Sequence, residues 1–303
     1  MNTSLNKNKL SLTVAITTCY GDVSIIDTVK SIRASKGVGN FKFILIADRV
    51  PISSKIKKEL KKLKVSLIEN ATESSLVNKQ KQTLTLAKTD LLVFTQDDVL
   101  FAPQTLMKVV KRFESHPKTT MISILNKPVN ATNYFESILN LGTEIANKIA
   151  KYWNNGDNYL SVIGRFMAFR TDTINKFRMP DVSSVDAYYY LENKRVKGVY
   201  EYLSDVPVYF KNPQNMTEHL RKSSRFQFSR LEMSHYFEDV TDEYNVPKIV
   251  QLRGFGEQLL ENPFKTTLYV LIYLYTRILK MQPKIVLDPA WDVDVSTKKV
   301  LIK

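Results

Sequence analysis

The stretch Phe41-Lys42-Phe43-Ile44-Leu45-Ile46-Ala47 decides the fold class of this sequence. Residues 43–46 are apolar at every position, whereas a strand with one face in solvent alternates apolar and polar side chains. A continuously apolar strand belongs in a sheet that helices cover on both faces, and such sheets are mostly parallel. The stretch therefore predicts an α/β fold with a mostly parallel central sheet flanked by helices.

Outward from this strand, short apolar runs alternate with amphipathic helical patterns through the first half of the chain. Further strands are predicted at residues 12–17, 65–68 and 91–95, and helices at residues 24–35, 53–64, 76–88 and 103–115. In the second half, strands are predicted at residues 121–125 and 162–169 and helices at residues 134–152 and 187–195. Residues 199–210 contain Pro207, which predicts an edge strand or a bulge. Beyond about residue 226 the pattern is mainly helical.

The composition restricts the class of protein. The chain has 303 residues and a single cysteine, so an intramolecular disulfide and a multi-cysteine zinc site are both excluded. Nothing in this composition favours an oxidising compartment, and residues 1–9 are polar, without the apolar core of a secretory signal. A cytoplasmic location is therefore expected.

The formal net charge of +14 favours an anionic partner: nucleic acid, a phosphate-bearing small molecule or an anionic membrane surface. The alternative is a lysine-rich solvated surface, and residues 55–64, where lysines alternate with apolar residues at helical spacing, fit it. The sequence contains no helix-turn-helix, zinc-finger or RNA-recognition signature. A nucleic-acid partner is therefore not expected.

Polar residues follow the predicted strands, at the edge of the sheet where α/β proteins bind ligands. Asp97 and Asp98 follow the strand at residues 91–95 after one intervening residue, Gln96. Two adjacent carboxylates repel each other, and a divalent cation that also binds phosphate oxygens relieves the repulsion. The alternative is an aspartate pair that caps the next helix or lies in a solvated turn.

Four blocks of sequence carry a resemblance to a known family. They are residues 14–20 with 27–32, residues 44–48, residues 86–99, which contain Gln96-Asp97-Asp98, and residues 185–191 with Lys197-Gly198. In this order and at this spacing they resemble the family 2 glycosyltransferases, which have the GT-A nucleotide-sugar fold. The resemblance implies a GT-A catalytic domain over residues 1–230, with a helical C-terminal extension and tail over residues 231–303.

The resemblance implies a donor site for a nucleotide-diphosphate sugar. Thr17, Thr18 and Tyr20 would line the pocket for the base and ribose. Asp48 would accept a hydrogen bond from the base or ribose, and Asp97 would lie near the ribose or the sugar.

The resemblance also implies a metal ligand and a base. Asp98, at the last position of the family's Asp-x-Asp signature, would hold Mn²⁺ or Mg²⁺ on the diphosphate. Asp186 would deprotonate an acceptor hydroxyl for inverting attack on the sugar, and Asp181 is a rival for this role. Two positions depart from the family pattern: Gln96 replaces an acid of the signature, and Val185 stands where a glutamate usually precedes the base.

A basic group in the second half has two interpretations. Arg221, Lys222 and Arg225 lie near the position of a Gln-x-x-Arg-Trp block in processive members, where cations bind the leaving diphosphate. Without the Gln and Trp, processive synthesis is not supported, and a solvated basic helix is the alternative. His219 is either a ligand of the metal or phosphates or an ordinary helix histidine.

Gly164 and Arg165 resemble the acceptor-side strand, where the absence of a side chain lets a sugar approach the backbone. A β-bulge is the alternative interpretation of this glycine.

The aromatic segment 264–279 is too short between its flanking cations Lys265 and Arg277 to span a bilayer. It fits either packing over the catalytic domain or a peripheral contact at the inner face of the membrane.

The sequence therefore predicts a metal-dependent inverting glycosyltransferase that acts on a glycan, polysaccharide or lipid-linked acceptor. The alternatives are a catalytically inactive GT-A binding protein, motivated by Gln96 and Val185, and a basic nucleic-acid-binding protein.

Overall fold

The computed structural model describes residues 9–21, 24–279, 281 and 295–298. The strands of this part are β1 (Leu12–Thr18), β2 (Lys42–Ala47), β3 (Ser66–Glu69), β4 (Leu91–Gln96), β5 (Val99–Phe101), β6 (Thr119–Pro128), β7 (Phe166–Arg170) and β8 (Val199–Phe210). The helices are α1 (Ser24–Arg33), α2 (Ser54–Lys62), α3 (Leu76–Leu86), α4 (Thr105–Ser115), α5 (Tyr134–Tyr152), α6 (Thr171–Ile174), α7 (Val185–Arg195), α8 (Met216–Met233), α9 (Thr241–Tyr244), α10 (Lys248–Glu261) and α11 (Pro263–Ile278). Short 3₁₀ turns lie at Trp153–Gly156, Tyr159–Ser161 and Val295–Lys298.

The strands form one sheet in the order β3-β2-β1-β4-β7-β6-β8-β5. The pairs β1 with β2, β1 with β4, β2 with β3 and β6 with β8 are parallel, and the other three pairs are antiparallel. The prediction of an α/β fold with a mostly parallel sheet is confirmed. The parallel half, β3 to β4, brings the carboxyl ends of its strands to one edge.

Apolar residues of the central strands alternate between two cores, one on each face of the sheet. Val14 and Ile16 of β1 join the core under α1, α2 and α4, whereas Ala15 joins the core under α3 and α7. Residues 43–46 are all buried. The apolar run in β2 is therefore explained by helices on both faces, as the sequence predicts.

The C-terminal helices α10 and α11 pack on α5 through close contacts at two glycines. A β-carbon at Gly142 of α5 would lie 2.0 Å from the Tyr269 ring of α11, and one at Gly254 of α10 would lie 2.7 Å from Ile149 of α5. The absence of a side chain at each glycine lets the helices approach each other.

Helix α8 runs continuously through residue 230, which is the predicted end of the catalytic domain.

Two features of the sheet differ from the sequence-based expectation. The sequence does not predict strand β5, because this strand has only three residues. Pairing with β8 stabilises its extended conformation. Pro207 lies inside β8, which has neighbours on both sides, so of the two predicted arrangements the structure has the bulge. The register with β6 shifts there, from Ile124 opposite Leu203 to Leu125 opposite Pro207.

None of the helices in the described part of the chain is long and apolar enough to cross a bilayer. Helix α11, which contains most of the aromatic segment, has 16 residues.

Candidate active site

A cavity of about 230 Å³ opens at the carboxyl ends of β1 and β4. The first turn of α7 and one side of α8 form its opposite wall. It brings together eight of the predicted site residues: Thr17, Thr18, Asp97, Asp98, Gly164, Arg165, Asp186 and Arg225. Residues separated by as much as 208 positions in sequence thus meet at the sheet edge where α/β proteins bind ligands.

Asp97 and Asp98 are the two residues between β4 and β5, so they do not cap a helix. The side chain of Asp97 is buried and accepts a hydrogen bond of 2.5 Å from Thr18 Oγ1, and its backbone carbonyl accepts one of 2.9 Å from Thr28. Burial raises the pKa of Asp97, and the neighbouring charge of Asp98 raises it further, against the opposing effect of the Lys298 ammonium. Hydrogen bonds from β1 and α1 thus hold Asp97 in place beside Asp98.

The Asp97–Asp98 pair has one carboxylate oxygen to which no described residue donates a hydrogen bond. Asp98 Oδ1 is buried and has no hydrogen-bond partner among the described residues. Leaving a buried charged acceptor unpaired costs free energy, which a cation at that oxygen recovers. The described residues contain no group of three or more His, Cys, Asp or Glu side chains that would hold a metal by themselves. The pair therefore fits a cation such as Mg²⁺, which takes one or two carboxylates and completes its shell with water and substrate phosphates.

Asp186 lies in the first turn of α7 and faces the same cavity. Its Oδ2 accepts a hydrogen bond of 3.2 Å from the Gly164 backbone N–H, and its Oδ1 accepts one of 2.9 Å from the Ala187 N–H. Burial raises the pKa of Asp186, although these hydrogen bonds and the charge of Arg225 act in the opposite direction. A carboxylate with a raised pKa is a stronger base than an exposed one.

The loop before α7 is held by one buried glutamate of α8. Glu232 accepts hydrogen bonds from the backbone N–H groups of Ser183, at 2.7 Å, and Ser184, at 2.9 Å. This clamp fixes where α7 begins, and so fixes the direction of Asp186.

Asp181, the rival for the base, lies outside the cavity on an exposed part of the same loop. Its two oxygens accept hydrogen bonds from Ser75 Oγ at 2.6 Å and Asn78 Nδ2 at 3.2 Å. It therefore ties the loop to the start of α3.

Asp48 and Tyr20 are also absent from the lining residues of the cavity in the described part. Asp48 is buried behind the wall, where its Oδ1 pairs with Lys79 Nζ at 2.8 Å and its Oδ2 accepts from the Ser74 N–H at 2.8 Å. The Tyr20 N–H donates to Thr18 Oγ1 at 3.3 Å. Both residues support the wall that Thr17 and Thr18 form.

Gly164 and Arg165 lie just before β7. Among the described residues, a β-carbon at Gly164 would have Gln96 Nε2 as its one neighbour within 4 Å, at an ordinary 3.6 Å, so the missing side chain widens the cavity next to Gln96. The Arg165 guanidinium stacks 3.7 Å above the ring centre of Phe210 and borders the cavity.

Helix α8 divides the predicted basic group. Lys222 and Arg225 line the cavity, whereas Arg221 and His219 are not among its described lining residues. The His219 ring lies edge-on to Phe135, with the ring centres 6.2 Å apart, and burial lowers the pKa of His219 to about 4. His219 is therefore a neutral, packed helix residue in this structure.

Two lysines of the cavity, Lys79 and Lys298, are absent from the site residues that the sequence predicts. Lys79 is buried on α3, where it binds Asp48 and the Thr18 carbonyl, at 3.2 Å. Its spacing from Leu76, three residues earlier, and Leu86, seven residues later, places it on the apolar face of the predicted helix, which was an available signal. Lys298 lies next to Asp97 and Asp98, and no local pattern marks it.

Comparison with protein families gives one match over most of the chain. The model described as "Glycosyltransferase like family 2" matches residues 10–223. No curated protein matches the sequence.

Solved structures share the fold at low sequence identity. A mannosyltransferase, PcManGT from Pyrobaculum calidifontis in complex with GDP-Man and Mn²⁺, has a TM-score of 0.55 and 14% identity over 91% of this chain and 78% of its own. A mycobacterial protein has a TM-score of 0.52 and 8% identity over 73% of this chain and 74% of its own. S. aureus TarS has a TM-score of 0.50 and 14% identity, and the match covers 89% of this chain and 53% of TarS. These likenesses concern the fold alone.

Proposed function

This chain belongs to glycosyltransferase-like family 2, whose members transfer a sugar from a nucleotide sugar, and we propose that it does so by a metal-dependent, inverting reaction. The donor is a nucleotide-diphosphate sugar and the acceptor group is a hydroxyl. One observation carries the proposal: Asp98, with its unpartnered buried oxygen, and Asp186, with its raised pKa, line the same cavity.

The donor occupies the side of the cavity next to β1. Thr17 and Thr18 line the part for the base and ribose, and Asp97 lies beside them. Asp48 and Tyr20 act on the donor indirectly, because Asp48 through Lys79, and Tyr20 directly, contact Thr18 of this wall. The solved mannosyltransferase of similar fold contains GDP-Man and Mn²⁺, which supports a sugar nucleotide and a divalent metal as the ligands of this cavity.

Asp98 would hold Mn²⁺ or Mg²⁺, next to the buried Asp97. When bound, such an ion offsets the negative charge that develops on the departing diphosphate. Lys222 and Arg225 of α8 border the same space, and their positive charges act on the same oxygens.

Asp186 is the general base. Its carboxylate takes the proton of the acceptor hydroxyl as the hydroxyl oxygen attacks the anomeric carbon, while the bond from that carbon to the diphosphate oxygen breaks. Attack opposite the leaving group inverts the anomeric configuration. Gly164 leaves room for a sugar beside Asp186, and its N–H fixes the carboxylate.

The acceptor is a glycan, polysaccharide or lipid-linked sugar, and the surface of α10 and α11 supports contact with a membrane at its cytoplasmic face. The most exposed apolar side chains of this surface are Leu260, Ile278 and Ile249, at 88%, 79% and 74% exposure. Large exposed apolar patches mark interaction surfaces, and the +14 charge favours an anionic one. We define Ile249, Leu252, Leu260, Phe264, Leu271, Leu274 and Ile278 as the apolar stripe.

The test is sugar transfer by the purified chain from a panel of uridine and guanosine diphosphate sugars, with and without Mn²⁺. Asp186→Asn is expected to lower kcat by roughly 10²- to 10⁴-fold, the usual contribution of a general base. Asp98→Asn is expected to abolish the dependence on Mn²⁺ together with most of the activity. The product anomer, read by NMR, is expected to be inverted.

Asp181→Asn is the matched control, since Asp181 is a carboxylate of the same loop outside the cavity. Full activity of both Asp98→Asn and Asp186→Asn, or a retained anomeric configuration, would contradict the proposal.

A further inference from the structure

The C-terminal residues Val295–Lys298 form a 3₁₀ turn that reaches into the cavity. Thr297 and Lys298 are among the lining residues. Lys298 Nζ donates a hydrogen bond to Asp97 Oδ1 and lies 3.4 Å from Asp98 Oδ2. The ammonium group thus sits between the two carboxylates and is itself mostly shielded from solvent, with a side-chain exposure of 13%.

A second contact anchors the turn independently of Lys298. The Ser296 hydroxyl donates to the carboxylate of Glu218 in the first turn of α8, and it accepts a hydrogen bond of 3.1 Å from the Gln214 N–H. The turn is therefore attached to the rim of the cavity, and the lysine extends from this attachment to the aspartate pair.

The ammonium and a divalent cation require the same space. A metal such as Mg²⁺ binds carboxylate oxygens at about 2.0–2.1 Å. An ion on the Asp97–Asp98 pair would share both carboxylates with the Lys298 ammonium, and two cations bound to the same carboxylates repel each other. The diphosphate, which has to lie next to the ion, would also meet Thr297.

We propose that this C-terminal turn is an autoinhibitory plug, in which Lys298 occupies the cation position of the Asp97–Asp98 pair until a divalent metal and the nucleoside diphosphate displace it. The inference rests on the proposed function, because it assigns a competitor to the same metal site. Because the metal binds where the plug is open, its apparent affinity equals the intrinsic affinity multiplied by the fraction of molecules in which the plug is open.

Mn²⁺ binding to the full chain, measured by the EPR signal of free Mn²⁺, tests the plug directly. Lys298→Met keeps the length of the side chain and removes its charge, and it is expected to bind Mn²⁺ at least about tenfold more tightly than the wild type. Lys58→Met removes one charge from exposed helix α2, far from the cavity, and is expected to bind as the wild type does. Thermal melting confirms that each variant is folded.

Hydrogen–deuterium exchange of the wild-type chain gives a second readout without any substitution. Peptides that contain residues 295–298 are expected to exchange faster when Mn²⁺ and a nucleoside diphosphate are added together. Unchanged exchange would contradict displacement of the turn.

Equal or weaker Mn²⁺ binding by Lys298→Met, or no binding by either protein, overturns the plug. The proposed function fails differently, through absence of sugar transfer or through full activity of Asp98→Asn and Asp186→Asn. A chain that transfers sugar, loses activity with Asp98→Asn and shows no effect of Lys298→Met is a metal-dependent transferase without a plug.

Discussion

At the scale of single residues, the carboxylates of Asp186 and Asp181 differ in burial and in hydrogen-bond partners. Asp186 receives two backbone hydrogen bonds and faces the cavity, whereas Asp181, five positions earlier, is exposed and ties its loop to the start of α3. Burial raises the pKa of Asp186 more than its hydrogen bonds and the charge of Arg225 lower it. The same residue type therefore faces the cavity at one position, where we propose a base, and ties a loop to helix α3 at the other.

This raised pKa predicts the pH dependence of the reaction. A base has to be deprotonated, so raising its pKa keeps it protonated, and inactive, up to a higher pH. The acidic limb of kcat/KM is therefore expected above the ordinary aspartate value of 3.8, with activity rising as pH rises through the folded pKa of Asp186. The measurement is kcat/KM against pH at saturating Mn²⁺.

Asp181→Asn is expected to keep the same acidic limb, and Asp186→Asn to lose it together with most of the activity. An acidic limb at the ordinary aspartate pKa, or one that shifts in Asp181→Asn, would speak against Asp186 as the base.

At the scale of elements, close contacts at glycines determine where helices α10 and α11 pack on α5. Gly142 of α5 accommodates the Tyr269 ring of α11, and α10 and α11 expose the side chains of the apolar stripe. Helix propensity alone disfavours glycine at the middle of α5, so packing is the reason for it.

Gly142→Ala is expected to destabilise the chain by about 1–3 kcal/mol, because the added methyl group overlaps the Tyr269 ring and the packed helices have to separate. Urea unfolding measures this loss. Gly256→Ala in α10 is the matched control: its β-carbon would meet no atom of the described residues within 4 Å, and it is expected to be neutral or stabilising by up to about 1 kcal/mol. Equal stability of the two variants would show that Gly142 does not limit the packing.

At the scale of the whole molecule, the +14 charge and the apolar stripe act together. Cations give long-range attraction to an anionic bilayer, and apolar side chains that enter the interface give short-range affinity. The proposed membrane contact therefore has two parts that salt and substitution separate.

The chain is expected to sediment with vesicles of phosphatidylglycerol and phosphatidylcholine in equal parts at low salt, and less so at high salt. Leu260→Ser combined with Ile278→Ser is expected to lower the partition coefficient by about tenfold, since two exposed apolar side chains are lost. Val199→Ser, at an exposed valine outside helices α10 and α11, is the control. Binding that the double substitution leaves unchanged would exclude the apolar stripe as the contact.

The sequence alone determined the fold class, because continuous apolar strands such as residues 43–46 require cover on both faces, and this pattern is local. It also brought Asp97 and Asp98 to notice, because polar residues just after apolar strands fall at a predictable edge of a parallel sheet, and it brought Asp186 to notice through the resemblance to family 2 glycosyltransferases.

Only the tertiary structure distinguished among the candidates that share a residue type. Burial and hydrogen-bond partners separate Asp186 from Asp181, place Asp48 behind the wall with Lys79, and pack His219 against Phe135. The contact of Lys298 with Asp97 joins residues 201 positions apart, and nothing in the local pattern of the tail encodes it. Side-chain spacing follows from local geometry, whereas desolvation and charge pairing depend on what distant parts of the chain bring to the same place.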